Sequence, residues 1–464
     1  MQKFLTFGVN HRGIAIAIIA AITIFCGFGL DKLRIDTSFD SLISDNDPTK
    51  QVYERVKEEF GSDNTTIVYA RSSELWTQDR LAALEDMHFA LEDLPFVQRV
   101  DSLFNVRSIR DRDGMIDSST VLDGVPFDDA EMQTARDNAL YSPLVVGNFI
   151  SADGIVTAIN VTIVKDPDNP NFDHYAYGAI DEAIAPYADQ FEEIFQVGPP
   201  RVNADTETGL ISDLSLLAPL SLGVLTVTIV LFLRSGLALV FPVITSAISL
   251  VWGFGLMGYF GIPINILSAM LPSLVIVIGS TEDTHMLSTY LNGIHSGDKQ
   301  GTGAQRRRYA VLFLIRHLGL PLVLTAVTTT LGFAANSFAE MGLMRNFAYA
   351  ASIAIAANGV ITLMLVPSLL SLFGPLRSNL HNKSPKQEVS DPEEEGYRGL
   401  IGAILKLCYA AARHPRYVIG GTVVFTVFFG IFAFQTKVSN DPIAFFKPKH
   451  PLVQDVNTLA ETLS

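Results

Sequence analysis

Glu282, Asp283 and His285 lie within four positions of one another in the stretch VIVIGSTEDTHMLSTY, Val275–Tyr290, in one of the most apolar parts of the chain. Carboxyl and imidazole groups are the side chains that pick up and release protons in catalysis and transport. A carboxylate at the centre of a bilayer costs at least about 2.5–3.5 kcal/mol, so an ionisable group in an apolar span is by default a functional residue. A carboxyl that gains and loses a proton while helices rearrange around it can couple a proton gradient to movement. One proton crossing 100 mV supplies about 2.3 kcal/mol.

Asp283, Glu282 and His285 are thus the candidate proton-relay residues. Gly279 lies one helical turn before Asp283 and would let a neighbouring helix approach closely. Each residue turns a helix by about 100°, so the two acids point apart and need not share a partner. His285 shares a side with Glu282 at a spacing of three, with a purely structural hydrogen bond as the favoured alternative role for it. Thr325, Thr328, Asn358 and Thr362 are the candidate polar neighbours, with the alternative that the threonines only glue helices together. A different reading keeps the acids at the cytoplasmic interface. Counted from Ile266, Glu282 is about 24 Å along a helix rising 1.5 Å per residue, so the span could end there.

The elements that must position these residues are membrane spans. Of 464 residues 48% are hydrophobic, and the mean hydropathy is +0.31, which implies spans joined to a sizeable water-soluble part. Seven apolar runs approach the roughly 20 residues a bilayer requires: Ile14–Leu30, Leu216–Leu233, Leu237–Phe260, Ile266–Tyr290, Leu318–Phe338, Phe347–Phe373 and Tyr417–Phe434. Pro219, Pro242, Pro272, Pro321 and Pro367 fall within them, as is tolerated where neighbouring helices satisfy freed backbone groups. Lys3 and Arg12, Arg306–Arg308 with Arg316, and the basic residues between Arg377 and Arg416 all lie on one side if the N-terminus is cytoplasmic. The first run has no small-residue cleavage site and reads as an uncleaved anchor. Cys26 in a span and Cys408 on a cytoplasmic helix are not expected to form a disulfide.

Residues 31–213 hold 36 acids and 14 bases, a net −22, against −15 for the whole chain. Such an acidic segment is a soluble domain and excludes nucleic acid as a partner. Strand patterns at Thr65–Ser72, in VQRVDSLF and in EIFQVGPP flank helices at Thr77–Leu94, with Leu81, Leu84, Met87 and Leu91 at helical spacing, and in NFDHYAYGAIDEAIAPYADQF. LVVGNFIS and IVTAINVTIV form a hairpin candidate turning at Ala152–Gly154. The acidic run from Asp111 to Ala139 reads as a long loop. The predicted class is α+β, ferredoxin-like.

The chain also matches itself at an offset of 403 residues: Lys3 meets Lys406, His11 meets His414, Pro48 meets Pro451 and Gln51 meets Gln454, without a gap. This points to a duplication in which a second soluble domain begins as the sequence ends, as in a fragment, a split gene product or a truncated chain. Gly399–Ala412 predicts a helix along the inner membrane surface, after a charged linker at Asn379–Glu395.

One span, a large external domain, five more spans and then a repeat is an order that resembles the resistance-nodulation-division (RND) superfamily, in its lipid-handling branches: the mycobacterial large membrane proteins (MMPL), hopanoid exporters and, more remotely, sterol-sensing-domain proteins. Gly279-Ser280-Thr281-Glu282-Asp283 fits the GxxxD pattern of the superfamily's fourth span. Arg316–Phe338 and Met344–Leu370 are similar to its fifth and sixth. Multidrug members carry two adjacent aspartates where this chain has Glu-Asp, which leaves Glu282 secondary. The resemblance implies a helical bundle of about seven transmembrane helices with an inserted α+β, porter-type extracytoplasmic domain. The segments would be 1–30, cytoplasmic N-terminus and first span; 31–213, porter-like domain; 214–373, five-helix bundle; 374–415, linker and interfacial helix; 416–435, seventh span; and 436–464, the start of a second external domain.

The function implied is a proton-motive-force-driven exporter in the cell inner membrane. Its partners would be the lipid bilayer, a lipid or other hydrophobic substrate, and a second transporter half or a homo-oligomer. The alternatives are a non-transporting sterol-sensing-type lipid receptor and an accessory subunit of protein secretion. No nucleotide-binding loop, metal-ligand set or nucleophile–base arrangement stands out, so no cofactor, metal or enzyme activity is expected. The topology has a direct test. In a background lacking Cys26 and Cys408, Ser118→Cys should react with an impermeant thiol reagent in intact cells and Ser384→Cys should not; labelling of the latter from outside reverses the orientation.

Overall fold

Among the described residues, seven helices are long and apolar enough to cross a bilayer, and they fall where the seven apolar runs predict spans. The computed structural model describes residues 8–37, 48–60, 62, 64–112, 115–166, 169, 171–233, 236–297, 301–376, 400–436 and 442–463. The Asn379–Glu395 linker lies outside the described residues. Two compact units divide the chain, one of residues 1–378 with 446–464 and one of residues 379–445.

In the first unit, α1 (Arg12–Gly29) is the first span and α2 (Pro48–Phe60) follows it. The soluble domain contains β1 (Thr65–Arg71), α3 (Gln78–Glu92), β2 (Val97–Asp101), β3 (Arg110–Arg112), β4 (Met115–Asp117), α4 (Asp129–Tyr141), β5 (Val156–Ile163), α5 (Phe172–Ile184) and β6 (Glu193–Val197). The membrane helices are α6 (Pro199–Leu233), α7 (Gly236–Phe260), α8 (Leu271–Ser296), α9 (Gly303–Ala334) and α10 (Gly342–Phe373). The second unit holds α11 (Leu400–Arg413) and α12 (Pro415–Ala433). A last helix, α13 (Pro451–Thr462), belongs to the first unit.

The soluble sheet has the order β2-β5-β1-β6, with every neighbour antiparallel. Val68 and Ala70 of β1, with Ile159, Val161 and Ile163 of β5, turn to the face covered by Leu81, Leu84, Met87 and Leu91 of α3 and Phe172, Ala176 and Ile180 of α5. The helical spacing read in α3 is thus its buried stripe. Tyr69, on the opposite face, stacks on Phe195 of β6 at 4.4 Å.

Two local expectations differ. The Asp111–Ala139 run is not one loop: β3 and β4 pair, and α4 begins at Asp129. Asp128 caps α4, accepting 2.8 Å from Glu131 N–H, with Asp129 and Glu131 in the first turn facing the positive end of the helix dipole. The acids that made this stretch look irregular are a helix start. The hairpin at Ala152–Gly154 does turn, with Gly154 at φ +75. Its first arm, however, makes only the isolated bridges Val146–Ile150 and Ile150–Thr157, because Val145–Ile150 folds back on itself.

In the bundle, α6 is one unbroken 35-residue helix from the end of the sheet into the membrane. The segment after α1 joins the α7–α8 loop, where Asp36 N–H donates to Ile264 O at 2.9 Å and Ile264 N–H to Arg34 O at 2.8 Å. Cys26 is buried in α1 and Cys408 is exposed on α11. Helices α1 and α7 approach at backbone distance: a Cβ on Gly255 or Gly258 would run into the carbonyls of Cys26 and Gly29.

Local geometry recurs along the chain. Arg12 to Pro415, and Pro48 to Pro451, are the same 403 positions apart, so α12 starts where α1 does and α13 where α2 does. His11 and His414 stand at both N-caps, with φ, ψ of −124, 50 and −127, 57.

Overpacking a tight contact costs about 1–3 kcal/mol or more. Gly255→Leu should therefore lower the melting temperature in detergent clearly. Gly27→Leu, on the open side of α1 with nothing within 4 Å, should leave it unchanged.

Candidate functional site

Asp283 sits near the middle of the 26-residue α8, in a shell made by α7 and α10. It is 1% exposed and Glu282 6%. The helix runs on to Ser296, so both acids lie well inside it rather than at its C-terminal end. Oδ2 of Asp283 lies 2.5 Å from the Thr245 hydroxyl on α7. The same hydroxyl is 3.0 Å from the Phe241 carbonyl. Thr362 on α10 is fully buried beside the carboxyl, and Oδ1 makes no hydrogen bond.

One turn away on α7, Ser249 Oγ is 2.7 Å from the Thr245 carbonyl and 3.0 Å from Oδ1 of Asn358 on α10. Asn358 reaches this position because residue 279 has no side chain: a Cβ there would be 2.5 Å from Oδ1. Gly279 thus keeps a seat for an amide in addition to close helix packing. The result is a buried polar column, Asn358–Ser249–Thr245–Asp283, across three helices. Partnered polar groups of this kind are what an apolar bundle tolerates.

Of the residues singled out from sequence, Asp283, Gly279, Asn358 and Thr362 come together, and Glu282 is buried at the neighbouring position of α8. Three do not. His285 is exposed: at two residues from Asp283 it points about 200° around the helix, away from the column. Thr325 and Thr328 are also exposed, and their hydroxyls donate to the Pro321 and Leu324 carbonyls of their own helix at 3.0 and 2.8 Å. Such back-bonding satisfies a hydroxyl facing lipid without any partner helix.

Thr245 and Ser249 were missed. Their signal was present in PVITSAISL, Pro242–Leu250, which puts two hydroxyls at i, i+4 on one face of an apolar helix. Ser246 beside them is buried, with its hydroxyl unpaired.

The soluble domain holds one arrangement with a catalytic look. Ser102 Oγ is 2.9 Å from His88 Nδ1, and His88 Nε2 is 4.0 Å from Glu92. Both Ser102 and His88 are buried, and Ser102 Oγ accepts from Phe104 N–H at 3.2 Å. Burial holds the His88 imidazole below its usual pKa, against the opposing pull of Glu92. A serine that no substrate reaches is a structural hydrogen-bonder. Among the described residues no group of three His, Cys, Asp or Glu side chains is placed to hold a metal ion.

Leaving a buried polar group without its partner costs about 1–3 kcal/mol. Thr245→Val keeps the shape and removes the hydroxyl, so it should lower thermal stability by that order. The loss should shrink when Asp283 is already Leu. Equal losses in both backgrounds would mean that the two side chains are not coupled.

Comparison with known proteins bears on the whole assembly of spans, soluble insertion and buried acid. A protein of Methanocaldococcus jannaschii, described only as a membrane protein, is 22% identical over 387 residues, which cover 80% of this chain and 93% of the relative. The profile of the MMPL family matches residues 41–398, from the start of the soluble segment past the last helix of the bundle. The chain is a multi-pass membrane protein and belongs to the MMPL family, within the RND superfamily.

Proposed function

We propose that the chain is one half of a proton-driven transporter that exports lipids or other hydrophobic compounds from the inner membrane. The observation that carries this reading is the hydrogen-bonded Asp283–Thr245 pair, enclosed at mid-helix between three spans. When Asp283 is ionised, Thr245 donates its hydroxyl hydrogen to Oδ2. When Asp283 is protonated, the acid donates instead, and Thr245 turns its hydrogen to the Phe241 carbonyl, 3.0 Å away. One proton thus reverses a hydrogen bond between α7 and α8 and changes the charge of the site. Helix packing that differs between these two forms is what a coupled transporter requires. Glu282, buried but outside the hydrogen-bonded column, is the secondary acid.

The porter role of the soluble domain draws support from its strand sequence. Apart from the β3–β4 hairpin and α4, the order is β-α-β-β-α-β, which is the split βαβ arrangement of ferredoxin-like domains. The second half would be supplied downstream or by another chain, with functional sites where halves meet. In this reading the N-terminus is cytoplasmic and residues 31–213 are extracytoplasmic. A sterol-sensing-type receptor needs no titratable group at this depth, and a secretion accessory subunit needs no repeat, so both are less well supported.

The test is reconstitution of the complete protein in vesicles with an imposed proton gradient and an internal pH-sensitive dye. Asp283→Asn should bring substrate-dependent proton flux to background while the protein still inserts and melts normally; Glu282→Gln should retain flux. Normal flux in Asp283→Asn rejects the coupling role.

A further inference from the structure

Oδ1 of Asp283, the Thr362 hydroxyl on α10 and the Ser246 hydroxyl on α7 are buried oxygens without a hydrogen-bond partner. Their residues are at most 1% exposed. Gly253 of α7 faces Ala354 of α10, and Ser249 reaches Asn358, so the two helices run antiparallel in a fixed register. That register brings Thr245 and Ser246 to the level of Thr362. The Thr362 hydroxyl is close enough to Asp283 to act on its charge, yet it is not placed to donate to it. Thr245 holds the other carboxyl oxygen at 2.5 Å. The unpartnered atoms therefore share one layer of the bundle, on three helices.

Each buried polar group left without a partner costs about 1–3 kcal/mol, so several in one layer call for a common partner. All are oxygens, and a carboxylate with hydroxyls is a ligand set for a hard cation. Charge sets the valence. Asp283 brings one negative charge to this layer, and the Glu282 side chain turns about 100° away. One positive charge leaves the site neutral, whereas a divalent ion would leave an expensive net charge in hydrocarbon. The close approach of α7 and α10, where a Cβ on Gly253 would be 2.8 Å from Ala354, favours a small ion.

We infer that Asp283, Thr245, Thr362 and Ser246 form a binding site for a sodium ion. The ion is held by Oδ1 of Asp283 and the Thr362 and Ser246 hydroxyl oxygens, beside a Thr245 that stays hydrogen-bonded to Oδ2. Such a site needs neither a histidine nor a second acid, so the spacing of metal-ligand residues in the sequence carries no sign of it. Sodium gives the carboxyl a second way to be neutral, besides the proton of the coupling reading on which this consequence rests. The binding itself requires no transport.

The experiment measures the binding of radioactive sodium to the complete protein in detergent, at constant ionic strength made up with choline chloride. The melting temperature is read in sodium, potassium and choline chloride. Saturable sodium binding that potassium displaces poorly is expected, with a higher melting temperature in sodium than in either other salt. Thr362→Val and Ser246→Ala should each weaken sodium binding at least about tenfold, and Asp283→Asn should abolish it. Thr362→Ser, which keeps the oxygen, should retain it. Absence of saturable binding, equal melting temperatures in the three salts, or undiminished binding in both hydroxyl variants overturns the site and leaves water as the partner of these oxygens. No gradient is applied, so the outcome is separate from proton flux. Sodium binding together with normal flux in Asp283→Asn rejects the coupling reading alone. Loss of flux in that variant without sodium binding in the parent rejects the sodium site alone.

Discussion

A carboxyl group enclosed among apolar helices is the constraint to which the bundle answers. Its charged form is expensive in hydrocarbon, so every nearby choice limits that expense or puts it to use. Thr245 supplies a hydroxyl at 2.5 Å, Thr362 closes the third side, and Ser249 with Asn358 extends the polar column away from the acid. The column needs helices that approach one another closely. Gly279 gives way to Asn358, and a Cβ on Gly253 of α7 would be 2.8 Å from Ala354 of α10. Small residues here are the counterpart of the acid: they bring donors within reach of a group that water cannot serve.

Much of this was legible in the chain. Spans announce themselves by length and apolarity, which is why the seven runs and the seven helices coincide. Asp283 stood out because a charge inside such a run is conspicuous. The alternation in β1 and β5 and the stripe of α3 were equally readable, since each is a local pattern set by one face meeting the core.

What the chain hid were matters of pairing. Thr245 and Ser249 look like ordinary hydroxyls in an apolar helix until α7 is known to pack against both α8 and α10. Thr325 and Thr328 looked better placed because they belong to the conspicuous threonine cluster TAVTTT. His285 shows the limit of reasoning from spacing: it shares a side with Glu282, yet the buried arc of α8 is centred on Gly279, Asp283, Met286 and Tyr290, and the histidine falls outside it. Asp128 and the acids after it read as a long loop by composition and as a helix start by position. Composition misled there because a helix N-terminus attracts the same residues that a solvated loop does.

The unbroken α6 carries a mechanical consequence. At 1.5 Å per residue its 35 residues make a rod about 50 Å long. Its head is fixed to the sheet by Arg201, and its stem is pinned to α8 where Ser221 donates to Ser273 at 2.8 Å. About 30 Å of helix separates these points. With the Ser221 contact as fulcrum, a tilt of about 5° moves the sheet end by about 2–3 Å. Pro219, two residues from that contact, cannot donate to the Ser215 carbonyl, so the rod is most easily bent beside its pivot. The sheet therefore rides on a rod whose pivot is a contact with the helix that bears the buried acid, a geometry in which a small tilt at the pivot is enlarged at the sheet.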